Sequence, residues 1–457
     1  MTAMIRPRSI SGMQELLPTE QITFNHYKDI VRKHFELTGA VPLNTSAFEL
    51  REVLMAKEES NNTSSIEKQV YGVHRIANEH NETNFALRFD LTVPMARFVA
   101  QHASKLIFPF RRYQIQPVWR GERAQAGRYR EFIQCDIDVI GDQTLNLIND
   151  AELPIIIDGI FKDMNIGPFQ IHMSNRKLLG GLLLGAGIPA NSITNALRLI
   201  DKIAKVGQDE IRKQFFQLYR LKDNQIDLII TYTSLRGPVD EVIDKLLTLV
   251  EQNHKANETY KVGIKELTTV SEIVYSLGLT SKTFILDLSV ARGLSYYTGT
   301  VYETTLTNHP ALGSICSGGR YDNLVGLYSN RKLPGVGMSI GLTRLISHLM
   351  HKGLLQQAKP SIEPVLIIVF NHSYLGRYLS IANRLRQAGI ATEIATEQTN
   401  ISQQFKYANR KGFRLAIIAG EKEFINGTWQ LKDMTTRKQI VVNNSKLVET
   451  INKMLAC

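Results

Sequence analysis

Polar and apolar residues alternate through residues 118–139 with the two-residue period of a pleated strand. Counting by two from Arg130 gives Arg130, Phe132, Gln134, Asp136 and Asp138, whereas the other parity gives Ile133, Cys135, Ile137 and Val139. The pattern predicts the second arm of an antiparallel hairpin, with an apolar face on a core and a wet face carrying a ring, an amide and two carboxylates. The connecting loop holds Arg120, Arg123 and Arg128. Strand character extends over 85–141, broken by helical spacing at 93–102, and another strand is predicted over 168–174. Nearer the N-terminus, Pro18-Thr19-Glu20 opens a helix with Tyr27, Ile30, Val31 and His34 on one face, stopping at Gly39. The polar run 58–66 reads as a mobile loop.

After Asn175 the period becomes helical, at 178–184, 193–203, 211–218 and 239–250. This predicts an inserted helical domain over 176–280, ending where T-F-I-L-D-L-S-V resumes strand character at Thr283. Residues 1–175 and 281–358 would then form one domain. Residues 359–363 (K-P-S-I-E) read as a linker. Beyond it, strands and helices alternate at 365–370, 378–388, 391–395, 401–411 and 415–418, predicting a small α/β domain over 364–457.

The 457-residue length suits two or three domains, and 43% hydrophobic with 21% charged residues suits a water-soluble chain. No apolar run approaches the length of a bilayer span, and the N-terminus has no apolar signal core. Three cysteines (Cys135, Cys316, Cys457) imply a reducing compartment, so a cytoplasmic protein is expected. None has a CxxC partner and no His/Cys set has zinc spacing, so no metal is assigned to protein side chains. The net charge of +11 suits a polyanionic partner, although a basic enzyme with no nucleic-acid partner has the same balance.

Several segments carry candidate chemistry. Gly335-Val-Gly337-Met-Ser-Ile-Gly341 lacks the spacing of a dinucleotide-binding turn; it reads as a strand entering a helix that starts with Arg344, either packed closely around a flat ligand or simply packed. Arg292-Gly-Leu-Ser-Tyr296-Tyr297 would deliver a cation and two hydroxyls at a strand end, or form a surface turn. The paired glycines of 313–322 (G-S-I-C-S-G-G-R-Y-D) mark a tight turn or a close approach to substrate. In L-R-F-D-L-T, Asp90 and Thr92 stand at a strand-to-helix junction, where Thr92 could equally be a helix cap with Pro94 in the first turn. No spacing suggests a covalent nucleophile.

Taken together and in this order, these segments resemble the class II aminoacyl-tRNA synthetases, and among them the histidyl-tRNA synthetase family. W-R-G-E-R-A-Q-A-G-R-Y-R-E-F is similar to the second class II motif and G-V-G-M-S-I-G-L-T-R to the third, while L-R-F-D-L-T, Q-C-D-I-D, R-G-L-S-Y-Y-T-G and S-G-G-R-Y-D are similar to the family's own signatures. Q-Q-F-K-Y-A-N-R-K-G resembles its anticodon-binding domain. The resemblance implies an α/β (α+β) fold: an antiparallel-sheet catalytic domain, a helical insertion and a C-terminal α/β anticodon-binding domain. It implies activation of L-histidine by ATP with Mg²⁺, transfer to tRNA(His), and a homodimer built on the first motif.

By the same resemblance, Arg120 would hold the ATP α-phosphate, Glu122 and Phe132 the adenine, and Arg344 the γ-phosphate. Arg292 would be catalytic, at the α-phosphate and the substrate carboxylate. Asp90, Leu91, Thr92, Gln134, Asp138, Tyr296 and Tyr297 would form the histidine pocket with Arg120 and Arg292. Ser46 departs from the family's usual proline in the first motif, and Ser295 and Thr343 stand where acids are commoner. Asp90 and Asp138 replace the glutamates of many bacterial members. Two rivals are a histidine-sensing regulatory relative, which would lack the anticodon-binding domain and the arginines, and a non-catalytic nucleic-acid-binding module.

Overall fold

The computed structural model describes residues 4–56, 69–76, 84–123, 127–253, 257–290, 296–355, 364–396 and 400–456. The polar run at 58–66, the linker at 359–363, Arg292 and Ser295 lie outside them. The chain divides into two compact units, Met1–Glu15 with Tyr27–Leu355 and Leu16–His26 with Gln356–Cys457.

Helix α1 (Pro18–Leu37) ends at Gly39, whose φ of +76° suits a residue without a Cβ. In the first unit it leads to β1 (Val41–Pro42), β2 (Phe48–Leu50), α2 (Arg51–Met55), β3 (Gly72–Val73) and β4 (Phe85–Leu87). The strands β2, β4 and β3 pair in that order as a small antiparallel sheet. Helix α3 (Thr92–His102) then precedes the long hairpin of β5 (Phe110–Trp119) and β6 (Glu131–Ile140), whose register runs from Phe110↔Ile140 to Trp119↔Glu131.

Next come α4 (Ile148–Met164) and β7 (Phe169–Asn175), followed by α5 (Arg176–Gly185), α6 (Ile193–Ile200), α7 (Ile203–Val206), α8 (Gln208–Tyr219), α9 (Asp223–Thr233), β8 (Arg236–Gly237), α10 (Val239–Asn253) and α11 (Glu258–Ser276). Leu179, Leu183, Leu197, Ile211, Phe215 and Ile229 fill an apolar core among these helices. The unit closes with β9 (Phe284–Asp287), β10 (Thr300–Leu306), β11 (Ser314–Tyr321), β12 (Gly335–Gly341) and α12 (Leu342–His351). Its nine-stranded sheet has the order β1-β5-β6-β12-β11-β10-β7-β9-β8 and is antiparallel except at β1·β5 and β7·β9.

The alternation read in β6 is present, but its polar face is not an exposed surface. Asp136 and Asp138 are as deeply buried as their neighbours Ile137 and Val139. Strand parity assigns sides, not depth, and a nine-stranded sheet buries the middle of both.

The second unit carries a five-stranded sheet of β13 (Val365–Val369), β14 (Thr392–Ile394), β15 (Leu415–Ala419), β16 (Thr428–Asp433) and β17 (Gln439–Asn443), ordered β14-β13-β15-β16-β17. Helices α13 (Leu375–Gln387), α14 (Ile401–Lys411), α15 (Glu421–Asn426) and α16 (Leu447–Ala456) accompany it. The continuous burial of β13 and β15 explains their unbroken aliphatic runs, since both are flanked by strands and pair in parallel. No helix among the described residues is long and apolar enough to cross a membrane.

Candidate active site

The centre of the large sheet sets β6 between β5 and β12, with β11 beyond, so that Gln134 registers with Gly341 and Asp138 with Gly337. On this polar side opens a cavity of about 410 Å³. Its lining takes Arg120, Glu122, Phe132, Gln134 and Asp138 from the hairpin, and Asp90 and Thr92 from the turn entering α3. Tyr296 and Tyr297 come from the segment before β10, and Arg344 from the start of α12. Residues spread over more than 250 positions are thus brought together. Leu91 is the described candidate outside the lining: its side chain is fully buried, and its carbonyl accepts the Met95 N–H in α3.

Part of the lining is cationic. Arg120 Nε donates to the Phe89 carbonyl at 3.0 Å, and its guanidinium lies 5.2 Å from the centroid of the Phe132 ring. Glu122 pairs with Arg128 at 3.4 Å, and its carbonyl accepts from Arg130 Nε at 3.2 Å. Arg344 donates to the carbonyls of Leu312 and Ser314, which holds its guanidinium against the start of β11 and the turn before it.

Another part of the lining is a buried set of carboxylates and phenols. Asp90 Oδ1 accepts the Val93 N–H at 3.1 Å in the first turn of α3, whose N-cap position is Leu91 and not Thr92. Burial pushes Asp90 up to about 6, against the pull of the Val93 amide and the Arg120 and Arg112 guanidiniums. Asp138 Oδ1 accepts the Tyr321 O–H at 2.6 Å, and its Oδ2 stands 2.6 Å from Arg112 Nη2; burial raises its pKa while both partners oppose the rise. Beneath the lining, burial pushes Asp136 up to about 7. Gln134 Nε2 donates to Ser339 Oγ at 2.7 Å, which leaves the Gln134 carbonyl oxygen with no hydrogen-bond partner. The rings of Tyr296 and Tyr297 meet edge to face, their centroids 4.9 Å apart, and burial raises both phenols.

Other residues of the same segments build the frame. Arg88 is buried and donates to the carbonyls of Thr45, Ser46 and Pro117 and to Gln116 Oε1, tying the segment around Ser46 to β5. Arg320 is buried against Asp150 of α4. Thr343 Oγ1 accepts the Ile133 N–H at 2.8 Å, joining α12 to β6. Arg112, Tyr321 and Ser339 were not singled out as site residues in the sequence. A symmetric pairing of the hairpin about its loop would have set Arg112 opposite Asp138.

Comparison with known proteins identifies the family. Residues 12–345 match the family described as "Histidyl-tRNA synthetase", and residues 364–454 match "Anticodon binding domain". The chain is 42% identical over 460 residues to the histidine--tRNA ligase of Xylella fastidiosa (strain M23), covering 98% of each. It is 43% identical over 465 residues to that of Xanthomonas oryzae pv. oryzae (strain PXO99A), again covering 98% of each. Among solved structures it resembles the histidyl-tRNA synthetase of Nostoc sp. PCC 7120, with a TM-score of 0.86 and 39% identity over 98% of this chain and 100% of that one.

Proposed function

The chain belongs to the histidyl-tRNA synthetase family, and we propose that the cavity beside β6, β11 and β12 is where it activates histidine. The activity is ATP-dependent joining of histidine to tRNA(His), through histidyl-adenylate and pyrophosphate. One observation carries the site assignment: arginines with the Phe132 ring and a set of carboxylates and phenols line one cavity.

The chemistry suits the two sets. The histidine carboxylate attacks the α-phosphorus in line, forming a C–O–P linkage as the bond to pyrophosphate breaks; positioning and charge stabilisation supply most of the catalysis. Arg120 answers the charge on the α-phosphate, and Arg344 receives the γ-phosphate after leaving its carbonyl partners. Adenine stacks on the Phe132 face not covered by Arg120, with Glu122 at its edge. Mg²⁺ enters as part of the nucleotide substrate, riding on the phosphates, as its reluctance to shed water favours.

In the other set Asp90 accepts from the α-ammonium, while Gln134, Asp138 and the tyrosines read the imidazole. The carbonyl that Gln134 leaves unpaired supports this, because a buried acceptor gains from a ligand N–H. The backbone beside Leu91, rather than its side chain, would touch the ligand. Arg292 is assigned to the α-phosphate and histidine carboxylate on the family pattern alone. The ribose hydroxyl at the tRNA 3′ end then attacks the activated carbonyl and expels AMP.

We assign residues 1–175 and 281–358 to activation, 176–280 to a helical insertion with its own apolar core, and 364–457 to anticodon binding. The match at 364–454 also disfavours the sensor reading, since such relatives lack that domain. A homodimer through β1, β2 and β4 is supported by the exposure of Val41, Phe48, Leu50 and Phe85 there. A tRNA substrate and two free, buried cysteines fit a cytoplasmic protein. The test is histidine-dependent exchange of pyrophosphate into ATP by purified, folded protein; no exchange at saturating histidine and MgATP would refute the assignment.

A further inference from the structure

A fully buried cation lies beneath the carboxylates and phenols of the cavity without lining it. Arg112 sits on β5 directly across from Asp138 on β6. Its side chain is 0% exposed, and Nη2 stands 2.6 Å from Asp138 Oδ2. Its Nη1 donates to Gln114 Oε1 at 3.3 Å, so the guanidinium is tethered along its own strand as well. From β11, two strands away, Tyr321 donates to the other oxygen, Oδ1, at 2.6 Å. From β12 between them, Gly337 leaves the space that the carboxylate occupies.

The arrangement constrains Asp138 in a way one partner could not. A carboxylate on a cavity wall can turn about two side-chain bonds, and a buried one without a counter-charge takes up a proton and presents an O–H. An imidazole N–H needs the opposite, an ionised acceptor with a lone pair held at one angle. Here each oxygen is engaged from the protein side, by a guanidinium on one and a phenol on the other. Oδ2 is buried against Arg112, and Oδ1 keeps a second lone pair beside the phenol hydrogen bond.

We infer that Arg112 is a positioning residue for histidine selection, acting through Asp138 to fix the carboxylate that receives the ligand's imidazole N–H. The inference rests on the assignment of Asp138 to the histidine pocket. It separates Arg112 from Arg120 and Arg344, which serve the nucleotide.

The charges facing Asp138 are Arg112 from β5, Tyr321 from β11, Asp136 on its own strand, Asp90 from the turn before α3, and Tyr297. Arg112 is the cation of that set that opposes the burial of Asp138. Weakening it raises the pKa of Asp138 further, and those of Asp90 and Asp136 with it, so loss of histidine binding on acidification should begin at a higher pH than in the unsubstituted enzyme. The titration of histidine itself is common to both proteins and cancels in the comparison.

The experiment measures pyrophosphate exchange at varied histidine and varied ATP, between about pH 6 and 8.5, with thermal melting of every variant. The proteins are the unsubstituted enzyme, Asp138→Asn, Arg112→Met, Arg112→Lys and the Arg112→Met/Asp138→Asn pair. Asp138→Asn should raise the histidine KM roughly 10²-fold, and Arg112→Met should do nearly the same while leaving kcat and the ATP KM within about threefold. The double variant should be no worse than Asp138→Asn, because both changes remove one function. Arg112→Lys should recover part of the loss and move the acid limb to higher pH.

An unchanged histidine KM in Asp138→Asn would overturn the site assignment itself. A raised KM in Asp138→Asn with unsubstituted values in both Arg112 variants, or additive losses in the pair, would overturn the role of Arg112 alone. So would parallel losses in kcat, ATP KM and melting temperature, the pattern of a merely structural ion pair. If Arg112→Met does not fold, Arg112→Lys and the double variant, which buries no unpaired carboxylate, decide between the same outcomes.

Discussion

Gly337 and Asp138 face each other across β12 and β6, and a Cβ built on Gly337 would fall within the carboxylate of Asp138. A Cβ on Gly335 would likewise enter the ring of Tyr321, the phenol that donates to the same carboxylate. The glycines of G-V-G-M-S-I-G therefore make room for the residues read as a histidine contact and its support. Gly337→Ala should raise the histidine KM by about 10-fold or more and leave the ATP KM within about threefold, with overpacking costing roughly 1–3 kcal/mol of stability. Exchange kinetics with each substrate varied would check it; equal rises in both KM values would reject the specific link to Asp138.

Arg120 has a planar fork that spans the Phe89 carbonyl and the Phe132 ring. Lysine keeps the charge but loses the fork and the flat face. Arg120→Lys should lower kcat for pyrophosphate exchange by roughly 10–10²-fold with little change in the histidine KM. Arg292→Ala, predicted from the family pattern, should slow activation at least about 10²-fold with an intact fold. Single-turnover formation of the adenylate measures both, and near-normal rates would remove either residue from the mechanism.

Much of this was legible in the chain because several elements show their period on one amphipathic face. The alternation of β6 and a helix over 93–102 (found as Thr92–His102) are of that kind, whereas β13 and β15 showed themselves as short unbroken aliphatic runs. Helix α4 was not foreseen. It buries Leu153, Ile156, Ile157, Ile160 and Phe161 together with Asn149, Asp150 and Asp158, so it shows no clean polar stripe, and Pro154 lies inside it. The helical spacing at 193–203 is two helices, Ile193–Ile200 and Ile203–Val206. At the site, the lining residues lay in recognisable motifs, but Arg112 did not, since its role exists only through strand register.

Asp136 supplies a pH test of the buried network. Its carboxyl is pushed from 3.8 to about 7, chiefly by burial, so the folded protein holds a proton there that the unfolded chain releases near pH 4. A raised folded pKa contributes stability that is complete below about pH 4 and is lost as pH rises through about 7. Asn has nearly the same shape and cannot ionise. Asp136→Asn should therefore melt close to the unsubstituted protein near pH 4.5 and a few degrees above it near pH 8. A melting difference independent of pH would mean that Asp136 does not titrate in this range.

Phe48, Leu50 and Phe85 expose about half of their side chains on one small sheet, at 52%, 41% and 53%. If this face builds the dimer, a charge at its centre must either stay hydrated or be buried unpaired. Phe48→Glu should convert the dimer to monomer at micromolar concentration, measured by sedimentation equilibrium. An unaltered dimer mass would place the interface elsewhere, and a monomeric unsubstituted protein would dismiss the dimer.

In the second unit, α14 presents Lys406 and Arg410 one turn apart, both exposed. The helix lies in the stretch matched to the anticodon-binding domain, and a +11 chain needs cations where the polyanion lands. Lys406→Ala/Arg410→Ala should leave histidine-dependent pyrophosphate exchange unchanged, because that step needs no tRNA. It should raise the KM for tRNA(His) in aminoacylation by about 10-fold, and each lost phosphate contact should lower the slope of log K against log salt by roughly 0.7–0.9. Measuring both reactions on one preparation separates the outcomes. A fall in exchange would mean that the fold was damaged, and unchanged tRNA kinetics with an unchanged salt slope would move the tRNA-binding face off α14.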